Sequence, residues 1–427
     1  MDKNSMNDAM QVSEVGGTGQ VPNRQEVSEA RQESASVAGA SDAPAQRCEG
    51  LARANEYKVS RLSDGWVRGV DKDGGRRLPP DDDPVAQHLR AVWWLPRSPL
   101  PWHAERLNGA AWLFEREDGV KVVAKLFRDK SPNDVDRNAA REARILTLLA
   151  PRLSAPAARL IPSVFELWRG VLFLEFQSGD TLQRLAEAAL WGGQWMHSPL
   201  ARPSTAQDFA RALASLHGLQ EERFWRNVVP HEGLAQATRY AEALLTQLAE
   251  RGLLHQGEAS DASNDEASRS ATALRLGISR HRDLAPRLCL VHGDMTTGNV
   301  LWDQGEGLSL IDWERAKWAP PELDWGRLRA ELRHLVRRFV GSPQASVSRP
   351  QQVELRAWNQ GHGSDPLSLF LHASLAAYSA LGPSLDQRLL DFYDATSSLR
   401  IARNGWLSRE QRLEAVDDAL QLLHVDA

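Results

Sequence analysis

Cysteine is scarce in this 427-residue chain: there are two, Cys48 in a polar stretch and Cys289 in an apolar run. They are too few, and too differently set, to build a disulfide framework or a thiolate metal cluster, and they read as free thiols of a reducing compartment. The first ten residues, MDKNSMNDAM, lack the apolar segment of a secretory signal, so the expected location is cytoplasmic. No apolar run approaches the length of a bilayer span, so no membrane partner is expected. Neither sign of charge dominates: 51 Lys and Arg face 56 Asp and Glu, and the net charge of -5 gives no global field to recruit nucleic acid, which is not expected as a partner. Aromatic residues are missing altogether from residues 1–50, and no repeat of solenoid period occurs.

These absences already divide the chain. Residues 1–60 are expected to be a disordered tail, because a segment rich in Ser, Ala, Glu and Gln buries too little apolar surface to offset the entropy of ordering. A role for that tail in holding a protein partner is one reading of its length. Residues 61–104 form a loop-rich extension in which Asp-Gly, Gly-Gly and Pro-Pro turns surround Val92-Trp93-Trp94-Leu95, a cluster that needs an apolar surface to sit on.

From residue 105 the pattern sharpens. Ala111–Glu115 and Val120–Phe127 flank a Glu117-Asp118-Gly119 turn and read as a hairpin, and RNAAREARILTLLAPRL follows with apolar residues at helical spacing. Ser163–Leu167 and Gly170–Phe176 supply two further strands. The unit 105–179 is thus a small antiparallel sheet with one helix, and 180–427 is a larger, mostly helical unit with a mobile loop expected at about 257–270. The Arg-rich run Arg327–Arg338 alternates with Leu and Glu and is expected to be a solvated helix face.

The densest chemical signal is LCLVHGDMTTGNVLW followed by LSLIDWE. An apolar strand runs into His292-Gly293-Asp294, a short loop ends at Asn299, and a hairpin returns with Asp312 at its end. Two carboxylates and a carboxamide gathered beside one sheet are the oxygen ligands that hard divalent cations prefer. A zinc site from His292, Asp294 and Asp312 lacks a second His or Cys at ligand spacing. Phosphoryl transfer needs this inventory, together with a cation for the phosphates. Lys125, in the alternating strand VVAKLF, fits that need, and a Lys pointing inward there requires an acidic partner. Glu142 on the following helix is the natural one, with Glu115 and Glu117 as the competing acids.

Taken in order, these segments resemble the aminoglycoside phosphotransferase and choline kinase-like family, the small-molecule branch of the protein-kinase-like fold. HGDMTTGNVLW is similar to its catalytic loop, LIDWE to its metal-binding strand end, PPELDWGRL to the segment whose Asp braces the next helix, and LFLEF to the strand entering the interlobe linker. The resemblance covers roughly 105–400. It implies an α+β, bilobal fold, with a small antiparallel-sheet N-lobe and a larger, mostly helical C-lobe. It implies transfer of the γ-phosphoryl group of ATP, or of GTP, to a hydroxyl of a small molecule such as a sugar, amino sugar or amino alcohol. Asp294 would be the catalytic carboxylate, Asn299 and Asp312 the Mg²⁺ ligands, and Lys125 the contact to the α- and β-phosphates, held by Glu142. Glu175 and Phe176 would lie where the linker meets the adenine, while His292 and Asp324 would be structural supports.

The chain departs from the pattern in two places. Thr296-Thr297 stand where many members carry His-Pro, which opens the question of what braces the loop. No G-x-G-x-x-G precedes Lys125, and no Ala-Pro-Glu segment follows Asp312, both of which argue against a protein kinase. A protein kinase and a catalytically silent kinase-like module are the alternative readings. Glu314 and Glu322 could attract a cationic acceptor such as an amino sugar but do not rank it above a neutral sugar or amino alcohol, and Trp313, Trp318 and Trp325 are expected to serve core packing rather than a sugar face.

Overall fold

In the strand Lys121–Leu126 alternate side chains face opposite ways, and the two faces meet different surroundings. Val122 and Ala124 are buried with Phe114, Val171 and Phe173 on the outer face of the sheet, whereas Val123 packs into the main core on the inner face. Lys125 shares the inner face with Val123 by that period. The computed structural model describes residues 102–424, except 109–110, 117–118, 128–131, 154–156, 169, 192–196, 220–221, 255–264, 283 and 341–364, and in addition His88.

The N-lobe sheet is antiparallel with order β1-β2-β3-β5-β4, formed by β1 Trp102–Asn108, β2 Ala111–Arg116, β3 Lys121–Leu126, β4 Val164–Trp168 and β5 Val171–Glu175. Helix α1, Pro132–Leu149, lies between β3 and β4 in sequence and packs Ala139, Ala143, Leu146 and Leu149 inward. β3 is central, flanked by β2 and β5, so Lys125 is no edge-strand residue. The strand β1 is unforeseen and begins at Trp102, three residues before the expected start of the lobe.

The tail 1–60 lies outside the described residues, as does the extension 61–104 apart from His88 and the first residues of β1. His88 stacks on Trp168 at 4.2 Å between ring centroids and bonds Glu166 at 3.0 Å. It therefore lies on the outer face of the sheet.

The C-lobe begins with β6 Asp180–Thr181 and α2 Leu182–Trp191, then α3 Pro203–His217, the short α4 Glu222–Trp225, α5 Leu234–Glu250 and α6 Asp265–Ser279. Two small sheets follow, β10-β7 and β6-β8-β9, from β7 Cys289–Val291, β8 Val300–Asp303, β9 Gly307–Leu310 and β10 Lys317–Ala319. Helices α7 Glu322–Val340, α8 Pro366–Leu381, α9 Gln387–Ala402 and α10 Arg409–His424 complete it. The segment expected to be a mobile loop at 257–270 lies outside the described residues up to 264. From Asp265 onward it is the first part of α6, which packs Leu274 and Ile278 against the core formed with α10. Among the described residues no helix is long and apolar enough to cross a membrane.

The largest departure from expectation is the Arg-rich run. Arg327, Arg329 and Arg333 are buried, not solvated. Arg329 bonds Asp394 at 2.5 Å and also Asp391. Arg333 reaches Asp394 at 2.9 Å through a second nitrogen, Asp418 at 3.1 Å and Ser398 at 2.9 Å, and Arg337 meets Asp418 at 2.5 Å. This ladder fastens α7 to α9 and α10. Burial works against each charge, yet the facing guanidinium groups of Arg333 and Arg329 hold Asp394 below the usual carboxylate range. The helices approach closely at Gly326, where a Cβ would lie 2.7 Å from the Asp394 amide nitrogen and 2.8 Å from Tyr393. The three tryptophans Trp313, Trp318 and Trp325 are buried as expected.

Removing one partner of such a ladder strands a buried charge, so Asp394→Ala is expected to cost about 3–5 kcal/mol in urea unfolding. The pH dependence carries two opposed contributions. Burial pushes the Glu322 carboxyl, which accepts a bond from the Asp386 amide at 2.8 Å, up from 4.5 to about 7. Its contribution to stability is complete below pH 4.5 and is lost as pH rises through 7. Burial, reinforced by Arg338, Arg337 and Arg333, pushes His334 down from 6.5 to about 4, so its contribution is complete above pH 6.5 and is lost as pH falls through 4. Relative to wild type, E322Q should gain up to ~3 kcal/mol on going from pH 5 to pH 8, and H334Q should gain a similar amount from pH 7 to pH 4. Unfolding titrations across pH that tilt the same way for both variants would contradict these assignments.

Candidate active site

The loop after β7 is held by one buried carboxylate. Asp324, in the first turn of α7, accepts the amide N–H of His292 through Oδ2 and that of Gly293 through Oδ1, each at 2.8 Å. Its burial opposes ionisation, but the hydrogen bond from His217, the nearby imidazoles and the Gly293 amide outweigh it, and the carboxyl is held below its usual range. His217 contacts Asp324 through Nε2 at 3.2 Å and Tyr378 Oη through Nδ1 at 2.8 Å, so a phenol, an imidazole and a carboxylate line up behind the loop. Asp324 therefore braces the loop as well as opening its helix.

Gly293 has φ +75°, and a Cβ there would collide with the Arg315 carbonyl. His292 donates from Nε2 to the Ile311 carbonyl at 2.9 Å and accepts the Asp294 amide at Nδ1 at 3.3 Å, which fixes one neutral tautomer in a bracing position. Thr296 and Thr297 brace through backbone, their carbonyls accepting from the Asn299 and Gln183 amides at 3.0 and 2.9 Å.

Asn299 donates its side-chain amide to the Asp294 carbonyl at 2.9 Å, a bond that uses its nitrogen and not its Oδ1. Across the β8–β9 hairpin the Ile311 amide bonds the Asn299 carbonyl at 3.0 Å, and Asp312 follows at once. Asp312 has φ 68° and ψ 59°, the single left-handed non-glycine among the described residues. Aspartate tolerates that region better than most residues, and strain of this kind collects at functional sites.

Lys125 donates to Glu142 at 2.5 Å and to Asp312, and lies 3.9 Å from Glu314. The second oxygen of Glu142 accepts the Trp313 amide at 3.2 Å. Burial works against the ammonium charge, but Glu142 and Asp312 prevail and push the lysine up to about 12. Glu115 instead faces Lys121 at 3.4 Å, and Glu117 lies outside the described residues. Glu142, Asp312 and Glu314 bring ligand atoms within 4.8 Å of one another. This hard oxygen set fits a divalent cation, and the cation it holds here is the Lys125 ammonium.

Asp294 is nearly buried among three guanidinium groups: Arg327 at 2.5 Å and Arg400 at 3.2 Å on Oδ1, and Arg315 at 3.5 Å on Oδ2. None of these arginines is foreseen by the sequence reading, nor is Glu314 as a neighbour of Lys125. The only sequence signal for Glu314 and Arg315 is their place directly after Asp312 and Trp313. Arg315 also lies 3.9 Å from Glu314, so charges run without a break from Lys125 through Glu314 and Arg315 to Asp294. Glu322, read as one acid able to attract a cationic acceptor, is buried against Asp386.

Glu175 and Phe176 stand apart, at the connection between the lobes. The Glu175 amide donates to the Ser163 carbonyl at 2.9 Å and its carboxylate accepts from the Ser163 amide at 3.1 Å. The Phe176 ring has the Lys121 ammonium 5.2 Å from its centroid.

Residues 104–358 match the model of the phosphotransferase enzyme family, and the chain belongs to that family. It is thus a phosphotransferase of the protein-kinase-like fold. One curated relative, protein StrN of Streptomyces griseus, is 49% identical over 43 residues, which span 10% of this chain and 13% of that protein. Among solved structures, an aminoglycoside phosphotransferase APH(2″)-IIa in a ternary complex with streptomycin and ATP is 16% identical, with a TM-score of 0.50 over 81% of this chain and 97% of that one. Aminoglycoside phosphotransferase APH(2″)-Ib bound to ADP gives the same identity and TM-score over 80% and 97%. At that identity the likeness shows the bilobal fold.

If Asp324 is the brace of the loop, Asp324→Asn, which turns one acceptor oxygen into a donor facing an amide, should lower kcat at least tenfold. Nucleotide affinity, read by fluorescence titration, should move less than threefold, because Lys125 and its acids are untouched. A loss confined to nucleotide affinity would reverse that assignment.

Proposed function

We propose that the chain moves the γ-phosphoryl group of ATP to a hydroxyl of a small molecule, with Asp294 as the group that orients the hydroxyl and takes its proton. The observation that carries this reading is the unbroken line of charge from Lys125 to Asp294, set between a family-typical loop and a strained Asp312. In the transfer the hydroxyl oxygen forms a bond to the γ-phosphorus, the bond from that phosphorus to the bridging oxygen breaks, ADP departs, and the hydroxyl proton passes to Asp294.

Lys125 binds the phosphates, and Glu142 keeps its ammonium aimed by holding both the lysine and the Trp313 amide. Asp312 and Asn299 would hold Mg²⁺, with Glu314 as a further oxygen donor. Bound there, Mg²⁺ would neutralise charge on the phosphoryl group being transferred. Arg327 fixes the rotamer of Asp294, and the loop that carries it is set by Asp324 and His292. Adenine sits at the connection containing Glu175 and Phe176. Because the Glu175 amide is committed to Ser163, the groups that face the base follow it in sequence.

Steady-state turnover with Mg²⁺ and ATP against sugars, amino sugars, amino acids and amino alcohols tests the reading, with GTP run in parallel. Asp294→Asn should lower acceptor-dependent turnover by about 10²–10⁴-fold while nucleotide still binds. Failure to bind nucleotide with Mg²⁺ would leave a silent kinase-like module, and phosphorylation of proteins alone would make it a protein kinase.

A further inference from the structure

Three guanidinium groups on one carboxylate are more than orientation requires. One donor fixes a rotamer, so the other two guanidinium groups are available to a second partner. Arg327 is buried, and its Nε has no hydrogen-bond partner among the described residues. Arg400 on α9 is partly exposed and Arg315 is more than half exposed, so both can turn toward a molecule arriving from solvent.

The acids able to cancel this charge are few. Glu314 is shared between Arg315 and Lys125, each at 3.9 Å. Glu331, one turn along α7 and facing Arg327, is pushed toward its neutral form by burial. The acceptor side of Asp294 therefore carries an excess of positive charge in a partly desolvated place, where an ion is poorly screened.

Resting on the phosphotransferase reading of this site, we infer that the acceptor is an anion: a hydroxyl compound bearing a carboxylate or phosphate group that Arg400 and Arg315 bind. Planar guanidinium groups suit either oxyanion, and one acceptor group can engage both side chains. The resident carboxylate of Asp294 occupies their donors in this structure. An arriving oxyanion takes Arg400 and Arg315 away and leaves Arg327 to hold the rotamer. An amino sugar would bring a fourth cation to three arginines and would be repelled.

Two sets of compounds matched in carbon skeleton test this: glucose, glucosamine, gluconate and glucose 6-phosphate, and glycerol, ethanolamine, glycerate and glycerol 3-phosphate. Binding is read by calorimetry in the presence of Mg²⁺ and ADP, and turnover is read with ATP. In at least one set the anionic members should bind and turn over at least tenfold better than the neutral and cationic ones. R400Q and R315Q should each shrink that preference at least fivefold.

A preference for glucosamine, ethanolamine or the neutral compounds would overturn the inference, as would absence of anion binding or a preference that survives both substitutions. R315Q alters a side chain more than half exposed, so its effect is not one of folding. Nucleotide binding with Mg²⁺ is measured in the same titrations. Its loss would overturn the phosphotransferase reading, and its retention without anion binding would overturn only the acceptor class.

Discussion

The site depends on the carboxylate of Glu142. It comes from the N-lobe helix, is fully buried, and holds two things that belong to different parts of the chain: the Lys125 ammonium with one oxygen and the Trp313 amide with the other. A buried lysine without such a partner would shed its proton, and a buried carboxylate without the lysine would take one up. Each offsets part of the burial of the other, although burial still pushes the Glu142 carboxyl up, so the pair ties β3 and the segment after Asp312 into one electrostatic unit. Trp313, anchored at its other end by the Leu310 carbonyl at 2.8 Å, keeps that segment from drifting.

A second set of constraints operates through α7. Its first turn supplies Asp324 to the loop, its next residues supply Arg327 to Asp294, and its later turns supply Arg329 and Arg333 to α9 and α10. One helix thus positions the loop backbone, the loop's acidic side chain and the helix that carries Arg400. Gly326 matters because it brings α9 close enough for those arginines to find Asp394. The charges within the C-lobe are consequently part of its packing, and a conservative change such as Arg333→Lys would lose the planar fork that serves Asp394 and Asp418 together.

Much of the N-lobe was legible because period-two alternation in KVVAKL and the turn at Gly119 are local signals, and each residue's face follows from its neighbours. The loop from His292 to Asn299 and the return at Asp312 were legible for the same reason, since residue type and short spacing carry them. β1 was not, because WHAERLN holds no β-branched residue and becomes a strand only by pairing with β2. The α7 arginines misled because spacing on one helix cannot reveal acids facing it from residues 391, 394 and 418. Arg400 stands 106 positions from Asp294, and only the fold brings them together.

The two aspartates at the centre are chemically identical and are made different by what surrounds them. Asp312 sits in a left-handed backbone beside Glu142 and Glu314, where like charges crowd and a cation is needed, and Lys125 meets that need. Asp294 sits among arginines, where positive charge is in excess and an anion is needed. A reaction that brings a metal-bound polyphosphate to the first and an oxyanion-bearing alcohol to the second would relieve both imbalances at once.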